Sequence, residues 1–257
     1  MVAMANYQTP RVPEFARDLD PEIRQLHSSE YRNPSQLQDG GVLVVGLGNS
    51  GADIGLEVSR THSTWLSGKE SGHIPFSIDS VWARLLWSRL VRFVGHHVLS
   101  LGTPIGRKVR PKMLFRAAPL IRVKAADLAK AGIERVARVA GVRDGHPLLE
   151  DERVLDVKNV IWCTGFHPGF SWIDLPIFGE GGQPTHERGV VNRAPGMYFV
   201  GLHFLYAMTS ANLVGVGRDA EYVVTAIETR ASLRSAAEQK SHVAATAGHR
   251  SAAFSRG

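Results

Sequence analysis

Val42-Leu43-Val44-Val45-Gly46-Leu47-Gly48-Asn49-Ser50-Gly51 is the stretch that decides the fold. Four apolar β-formers read as a strand buried on both faces, as in a parallel sheet. Three glycines follow at G-x-G-x-x-G spacing. Ala52-Asp53-Ile54-Gly55-Leu56-Glu57-Val58 then carries its apolar residues at helical intervals. Strand, glycine turn and helix in that order predict a dinucleotide-binding βα unit. In such a unit Gly46 permits the tight turn, Gly48 lets the main chain approach a pyrophosphate, and Gly51 lets helix and strand pack closely. The N–H groups of Asn49, Ser50 and Gly51 open the helix and face the phosphates at the positive end of its dipole.

The second strand of the unit falls at Ser63 to Lys69. An NAD site usually places a carboxylate at that strand's tip for the ribose hydroxyls. Here the tip reads Ser67-Gly68-Lys69, with Glu70 beyond it. Lys69 suits a 2′-phosphate and Ser67 offers it a hydroxyl, so the expected nucleotide is NADP. The competing reading makes Lys69 a surface lysine beside Glu70.

Working outward, the 257-residue chain is 44% hydrophobic, which supports a globular core, and contains no uncharged apolar run of membrane-spanning length. The start of the chain lacks a charged segment followed by an apolar block and a small-residue cleavage site. Cys163 is the single cysteine, so an internal disulfide, a C-x-x-C redox pair and a cysteine-rich zinc site are all excluded. A reducing, cytoplasmic location is expected.

The net charge of +6 has a local origin. No Asp or Glu occurs from Val81 to Lys124, whereas Arg84, Arg89, Arg92, Arg107, Lys108, Arg110, Lys112, Arg116 and Arg122 do. Apolar residues interleave with them, and Ser80 to Leu99 reads as an amphipathic basic helix. A solvated helical excursion, a basic wall around an anionic cofactor and a peripheral membrane contact are the open readings. No recognised nucleic-acid-binding motif accompanies the charge, so nucleic acid is not an expected partner.

Turn formers fill residues 1–40, which read as connecting chain. Ala125 to Ala131 reads as a short helix closed by Gly132. Ile133 to Val142, Arg153 to Val157, Val160 to Cys163 and Gly196 to Gly201 read as strands. A helix is expected from about Arg218 to Leu233, followed by a disordered tail over 233–257.

Four stretches in fixed order resemble the flavin-containing monooxygenases and their YUCCA-like relatives, which are flavoproteins with two dinucleotide-binding domains. They are His27-Ser28-Ser29-Glu30-Tyr31, Gly46 to Gly51, Cys163-Thr164-Gly165-Phe166, and Ala194 to Ala220 with its L-V-G-V-G-R-D-A ending. The resemblance covers nearly all of residues 1–232. It implies an α/β fold: a Rossmann-like NADP-binding domain at 41–165, with a basic helical excursion at 77–120, flanked by segments of an incomplete FAD-binding domain at 1–40 and 166–232. It also implies FAD and NADP as cofactors. NADPH would reduce FAD by hydride transfer, and O₂ would then oxygenate a small organic nucleophile or ketone. Cofactor contacts are implied for His27, Thr164, Gly165, Asn212 and Leu213 beside the glycine-turn residues. Asp219 is the acid at the start of the closing helix. No catalytic side chain and no metal are implied, and His27 and His73 read as structural histidines.

Two departures qualify the resemblance. Pro21 and Ile23 stand where the family fingerprint begins with F-x-G, and Met4-Ala5 replace a Thr-Gly strand end. The first glycine motif, which cradles the FAD pyrophosphate in relatives, does not occur. A truncated gene, a misassigned start and a separate polypeptide carrying that half are three explanations. They leave three functional readings: the complete monooxygenase chemistry, an NADP-binding remnant, or one subunit of a split flavoenzyme or homo-oligomer.

Overall fold

A computed structural model describes residues 1–4, 6–69, 72, 88–115 and 120–254. These form two compact units, Asn6–Val94 with Arg107–Gly169, and Met1–Ala5 with Gly95–Gly106 and Phe170–Gly257.

The first unit is built on five parallel strands. In chain order they are β2 (Arg24–His27), β3 (Val42–Val45), β4 (Thr64–Ser67), β5 (Glu134–Val136) and β8 (Asn159–Trp162). In space the order is β2-β8-β3-β4-β5, which puts β3 at the centre. All four residues of β3 and of β8 are buried, as expected for strands covered on both faces. Because side chains alternate, Val42, Val44, Leu66 and Ile161 pack toward helices α1 (Asn49–Val58) and α4 (Ala125–Lys130) through Ala52, Val58 and Leu128. Leu43, Val45, Val160 and Trp162 face the other way, against Ala16, Leu19 and Leu149. Leu149 ends β7 (His146–Leu149), which forms an antiparallel hairpin with β6 (Val139–Arg143). A further antiparallel pair joins β1 (Thr9–Pro10) to β9 (Phe166–His167).

Residues 6–40 therefore cluster with the five-stranded first unit, whereas the sequence reading assigns 1–40 to a connecting segment of a flanking domain and begins the expected nucleotide domain at 41. The strand overlooked there is β2. Its residues Arg-Gln-Leu-His carry no apolar alternation, because an edge strand with one full neighbour needs little of it. Main-chain pairing of Arg24–His27 with Asn159–Trp162 holds it.

The continuous strand expected from Ile133 to Val142 divides into β5 and β6. The Ser67 hydroxyl donates to the Ala137 carbonyl at 2.9 Å and accepts from the Val139 N–H at 3.2 Å, which secures the break between the two sheets. Arg153 to Val157 forms a single bridge, Val154 to Leu148, rather than a strand.

In the second unit, Gly196 to Gly201 likewise makes isolated bridges: Phe199 with Val2 and Tyr198 with Val190. Phe199 is fully buried among Phe170, Ile177, Val191 and Leu205. Helix α5 runs from Val216 to Phe254 and corrects the expectation of a disordered tail. Residues 231–240 are exposed throughout and so lack apolar periodicity, but Ala, Glu, Gln and Lys are strong helix formers and carry the helix onward.

Of the basic helix expected over Ser80 to Leu99, the described part is helical: α2 (Ser88–Phe93) passes directly into a π-helical turn at Val94–Val98, and a second helix, α3 (Pro104–Phe115), follows. The turn is held by the Arg218 guanidinium, which donates to the His96 carbonyl at 2.8 Å. Ser80 to Trp87, His73 and Glu70 lie outside the described residues. No helix among the described residues is long and apolar enough to cross a membrane.

Candidate nucleotide site

The glycine turn joins β3 to α1, and each of its glycines answers a different constraint. Gly46 has φ +113°, and a Cβ there would lie 2.3 Å from the Cys163 carbonyl oxygen. A Cβ on Gly51 would lie 1.8 Å from the carbonyl oxygen of Gly46. Both positions exclude side chains on internal packing alone. Gly48 differs: its φ of −94° suits any residue, and among the described residues no atom beyond its chain neighbours lies within 4 Å of where its Cβ would stand. It directly precedes the first turn of α1, whose N–H groups have no acceptor within the helix. A helix N-terminus approached by unhindered main chain is suited to a phosphate.

Ser50 is exposed at this opening. Asn49 is partly engaged, since its Oδ1 accepts the Ile121 N–H at 2.8 Å and ties the chain after the basic excursion to the helix start.

At the tip of β4, Ser67 does not fulfil its expected role. It is 1% exposed, and its hydroxyl is committed to Ala137 and Val139. Lys69 is exposed, with no hydrogen bond or ion pair to a described residue. Gly68 between them has φ +146°, and a Cβ there would meet the Leu47 nitrogen at 2.7 Å, so the β4 tip and the glycine turn pack main chain on main chain. Arg135 of β5 donates from Nη2 to the Gly68 carbonyl at 3.1 Å. Sequence reasoning missed both. Strand spacing alone does not bring residue 135 beside residue 68, although the glycine before Lys69 was a visible sign of a special turn.

His27, Thr164 and Gly165 come together at the ends of β2 and β8. His27 is 3% exposed. Its Nε2 lies 3.1 Å from the Gly165 carbonyl, and its Nδ1 lies 2.8 Å from the Ser29 hydroxyl and accepts the Ser29 N–H at 3.2 Å. The network assigns the proton to Nε2. Phe166 packs edge-on against the ring at 4.9 Å. The Thr164 hydroxyl donates to the Arg11 carbonyl, and the Arg11 N–H donates to Gly165. With both ring nitrogens engaged, His27 ties the end of β2 to the segment that follows β8. Cys163 is equally inert, since burial pushes its thiol up to about 12.

The second unit holds Asn212, Leu213 and Asp219. The Asn212 carbonyl accepts the N–H groups of Gly215 and Val216, both at 2.9 Å, which starts α5. Leu213 is 98% exposed. Asp219 is fully buried, with Oδ1 3.8 Å from Arg218 Nε and neither carboxylate oxygen hydrogen-bonded. The Arg218 guanidinium stacks on Tyr206 at 4.5 Å, and Arg188 stacks on both Tyr206 and Tyr222 at 4.0 Å. No group of three metal-ligating side chains occurs among the described residues.

Comparison with known proteins agrees with this architecture. A family model described as flavin-binding monooxygenase-like matches residues 8–100. An uncharacterized CzcO-like oxidoreductase of Geobacillus kaustophilus is 36% identical over 233 residues, covering 88% of this chain and 64% of the relative. A probable indole-3-pyruvate monooxygenase, YUCCA3 of Arabidopsis thaliana, is 27% identical, covering 91% of this chain and 57% of its own. Among solved structures, the flavin-containing monooxygenase of Stenotrophomonas maltophilia shares the fold at a TM-score of 0.54 and 23% identity, over 88% of this chain and 61% of that one. The fold is thus that of the flavoproteins with Rossmann-like dinucleotide-binding domains. Within that class, the chain is similar to the flavin-binding monooxygenase-like family over residues 8–100 and to CzcO-like oxidoreductases over most of its length. It spans less than two thirds of the length of the relatives it matches, 64% and 57%.

Proposed function

We propose that this chain serves an FAD- and NADPH-dependent oxidoreductase of the monooxygenase type, acting on a small organic substrate. The observation that carries the reading is the open space at Gly48 before α1, set between two glycines that internal packing demands. Ser50 and the main-chain N–H groups of the first turn would hold the NADPH pyrophosphate, and Lys69 would face its 2′-phosphate.

FAD fits one feature of the second unit. The buried Asp219 oxygens lack any hydrogen-bond donor, and a ligand carrying hydroxyl groups would satisfy them. When bound, FAD supplies the hydride-accepting and oxygen-activating chemistry, while the chain's own residues bind, orient and exclude water. The reducing cytoplasm is the proposed location, on the strength of the single cysteine. Peripheral membrane contact of the basic stretch, a homo-oligomer and a separate partner bearing an FAD glycine motif are companion proposals.

A paired assay on the purified chain tests the reading: NADPH titrated by calorimetry, and FAD retention followed by visible absorbance. Retained flavin that is bleached by NADPH and recoloured by air supports it. NADPH binding without retained flavin restricts the chain to nucleotide binding and points to a partner for turnover. Failure to bind NADPH overturns the reading.

A further inference from the structure

We infer that the groove between α5 and residues 190–198 binds a small amphiphile with an unbranched apolar chain and one anionic head group, of the long-chain carboxylate class. The groove lies wholly within the second unit, so the inference does not depend on the nucleotide reading.

One wall is a face of α5. Tyr222, Ala226, Thr229, Leu233 and Ala237 line it at steps of three and four residues, which is the spacing of a single helical stripe. Val190, Pro195 and Gly196 stand opposite. The main chain of that second wall is bonded within itself. The Val191 N–H donates to the Met197 carbonyl at 3.2 Å, and the Met197 N–H donates to the Ala194 carbonyl at 2.9 Å. At one end the Tyr222 ring is held by the Arg188 guanidinium, 4.0 Å from its centroid. Both walls are therefore set in advance, and the space between them is about 680 Å³, the size of a small-molecule site.

The chemistry of the lining names the occupant. Most of the side chains are apolar or small, and among the described residues no Asp or Glu lines the groove. Its charges are Arg230 and Arg234, both positive. Arg230 is half-buried and makes no hydrogen bond or ion pair with a described residue. Its guanidinium reaches from α5 to the opposite wall, since a Cβ on Gly196 would lie 3.8 Å from Nε and 3.9 Å from Nη2. Arg234, one turn on, is exposed and keeps a loose pair with Glu238 at 3.8 Å.

A half-buried guanidinium without a carboxylate is matched by an anion, and its planar fork suits a carboxylate head group. The apolar stripe beside it is matched by a hydrocarbon chain. From Arg230 back to Tyr222 the helix rises about 12 Å, so the head group falls on Arg230 and the chain runs over Ala226. Because Arg230 bridges the two walls, the passage there is narrower than the roughly 10 Å of a helix, which favours a slender chain over a helical peptide.

The test measures binding of decanoate and of 1-decanol to the whole chain by calorimetry, in the wild type, Arg230→Gln and Thr229→Trp. A charge-assisted bond to a carboxylate corresponds to about tenfold in affinity. The expected result is one decanoate per wild-type chain, bound about tenfold tighter than decanol. In Arg230→Gln that preference should vanish with decanol affinity unchanged, and in Thr229→Trp the indole should fill the groove and abolish both. Equal affinity for the two ligands in the wild type, or no binding of decanoate, would overturn the inference. So would unchanged binding in Thr229→Trp at a wild-type thermal midpoint. If that variant is itself destabilised, Thr225→Trp fills the same groove from one turn away and decides instead. Capture by phosphatidylglycerol vesicles without binding of free decanoate would assign the two arginines to a lipid surface and equally overturn it.

Discussion

Gly51 faces the carbonyl oxygen of Gly46 so closely that a Cβ would lie 1.8 Å from it, whereas a Cβ on Gly48, three residues earlier, would meet no described residue beyond its chain neighbours within 4 Å. Packing of the fold thus accounts for Gly51 and not for Gly48, which the proposed function assigns to the ligand. Gly51→Ala forces main chain against main chain, and overpacking of this kind destabilises by about 1–3 kcal/mol or more. Gly48→Ala leaves the apo fold intact while its methyl group enters the phosphate space. The expected outcome is a lowered urea midpoint for Gly51→Ala only. For Gly48→Ala, NADPH affinity drops at least about tenfold, roughly 1.4 kcal/mol, with an unchanged midpoint. Denaturation and calorimetry on the two variants check this.

His27 links the end of β2 to the Gly165 carbonyl, with both ring nitrogens occupied. His27→Ala removes that tie and the edge contact with Phe166, leaving buried polar groups unmatched. A loss of about 1–3 kcal/mol in unfolding free energy is expected. His27→Gln, which retains a donor, should recover part of it. Full stability in His27→Ala, read from urea denaturation, would show that the tie carries no weight in the fold.

Cys163 makes a pH prediction. Burial raises the thiol from its ordinary value to about 12 in the fold. Above the unfolded value the unfolded chain releases this proton while the native chain retains it. Stability therefore falls as pH rises from about 9 toward 12, with a slope approaching 1.4 kcal/mol per pH unit. Cys163→Ala should flatten that slope in denaturation curves collected between pH 8 and 11. Iodoacetamide at pH 8 should leave the native thiol unmodified and label it once the chain is unfolded.

Asp219 is a carboxylate without a hydrogen-bond donor inside the second unit. Asp219→Asn removes a buried charge beside Arg218, 3.8 Å away. Flavin retention should fall while the flavin-free chain keeps or gains stability, by about 1 kcal/mol at most. Retention unchanged within error would remove Asp219 from the FAD site. A large drop in apo stability would assign it to an ion pair with Arg218 instead.

The sequence was most legible where several signals coincide. Val42–Val45, the glycine spacing and the periodicity of Ala52–Val58 all point to one βα unit, and the structure has it there. It was least legible where main-chain bonding does the work. Arg24–His27 forms a strand through pairing with β8 and not through any pattern of its own. Ser67 looks like a ligand residue from its position, yet it is turned inward by acceptor and donor groups 70 and 72 residues away. Arg135 reaches the Gly68 carbonyl only through strand order, which a local reading does not supply. The tail beyond Leu233 was misread for the opposite reason: apolar periodicity was demanded of an exposed helix that has no need of it.

The packing of Gly68 on Leu47, and of Gly51 on Gly46, builds the turn between β3 and α1 from peptide groups. Glycines held in this way have no side chain to vary. Under the proposed function, a change of nucleotide preference in a descendant of this chain is expected at exposed positions such as Ser50 and Lys69, with the main-chain cradle passed on unaltered.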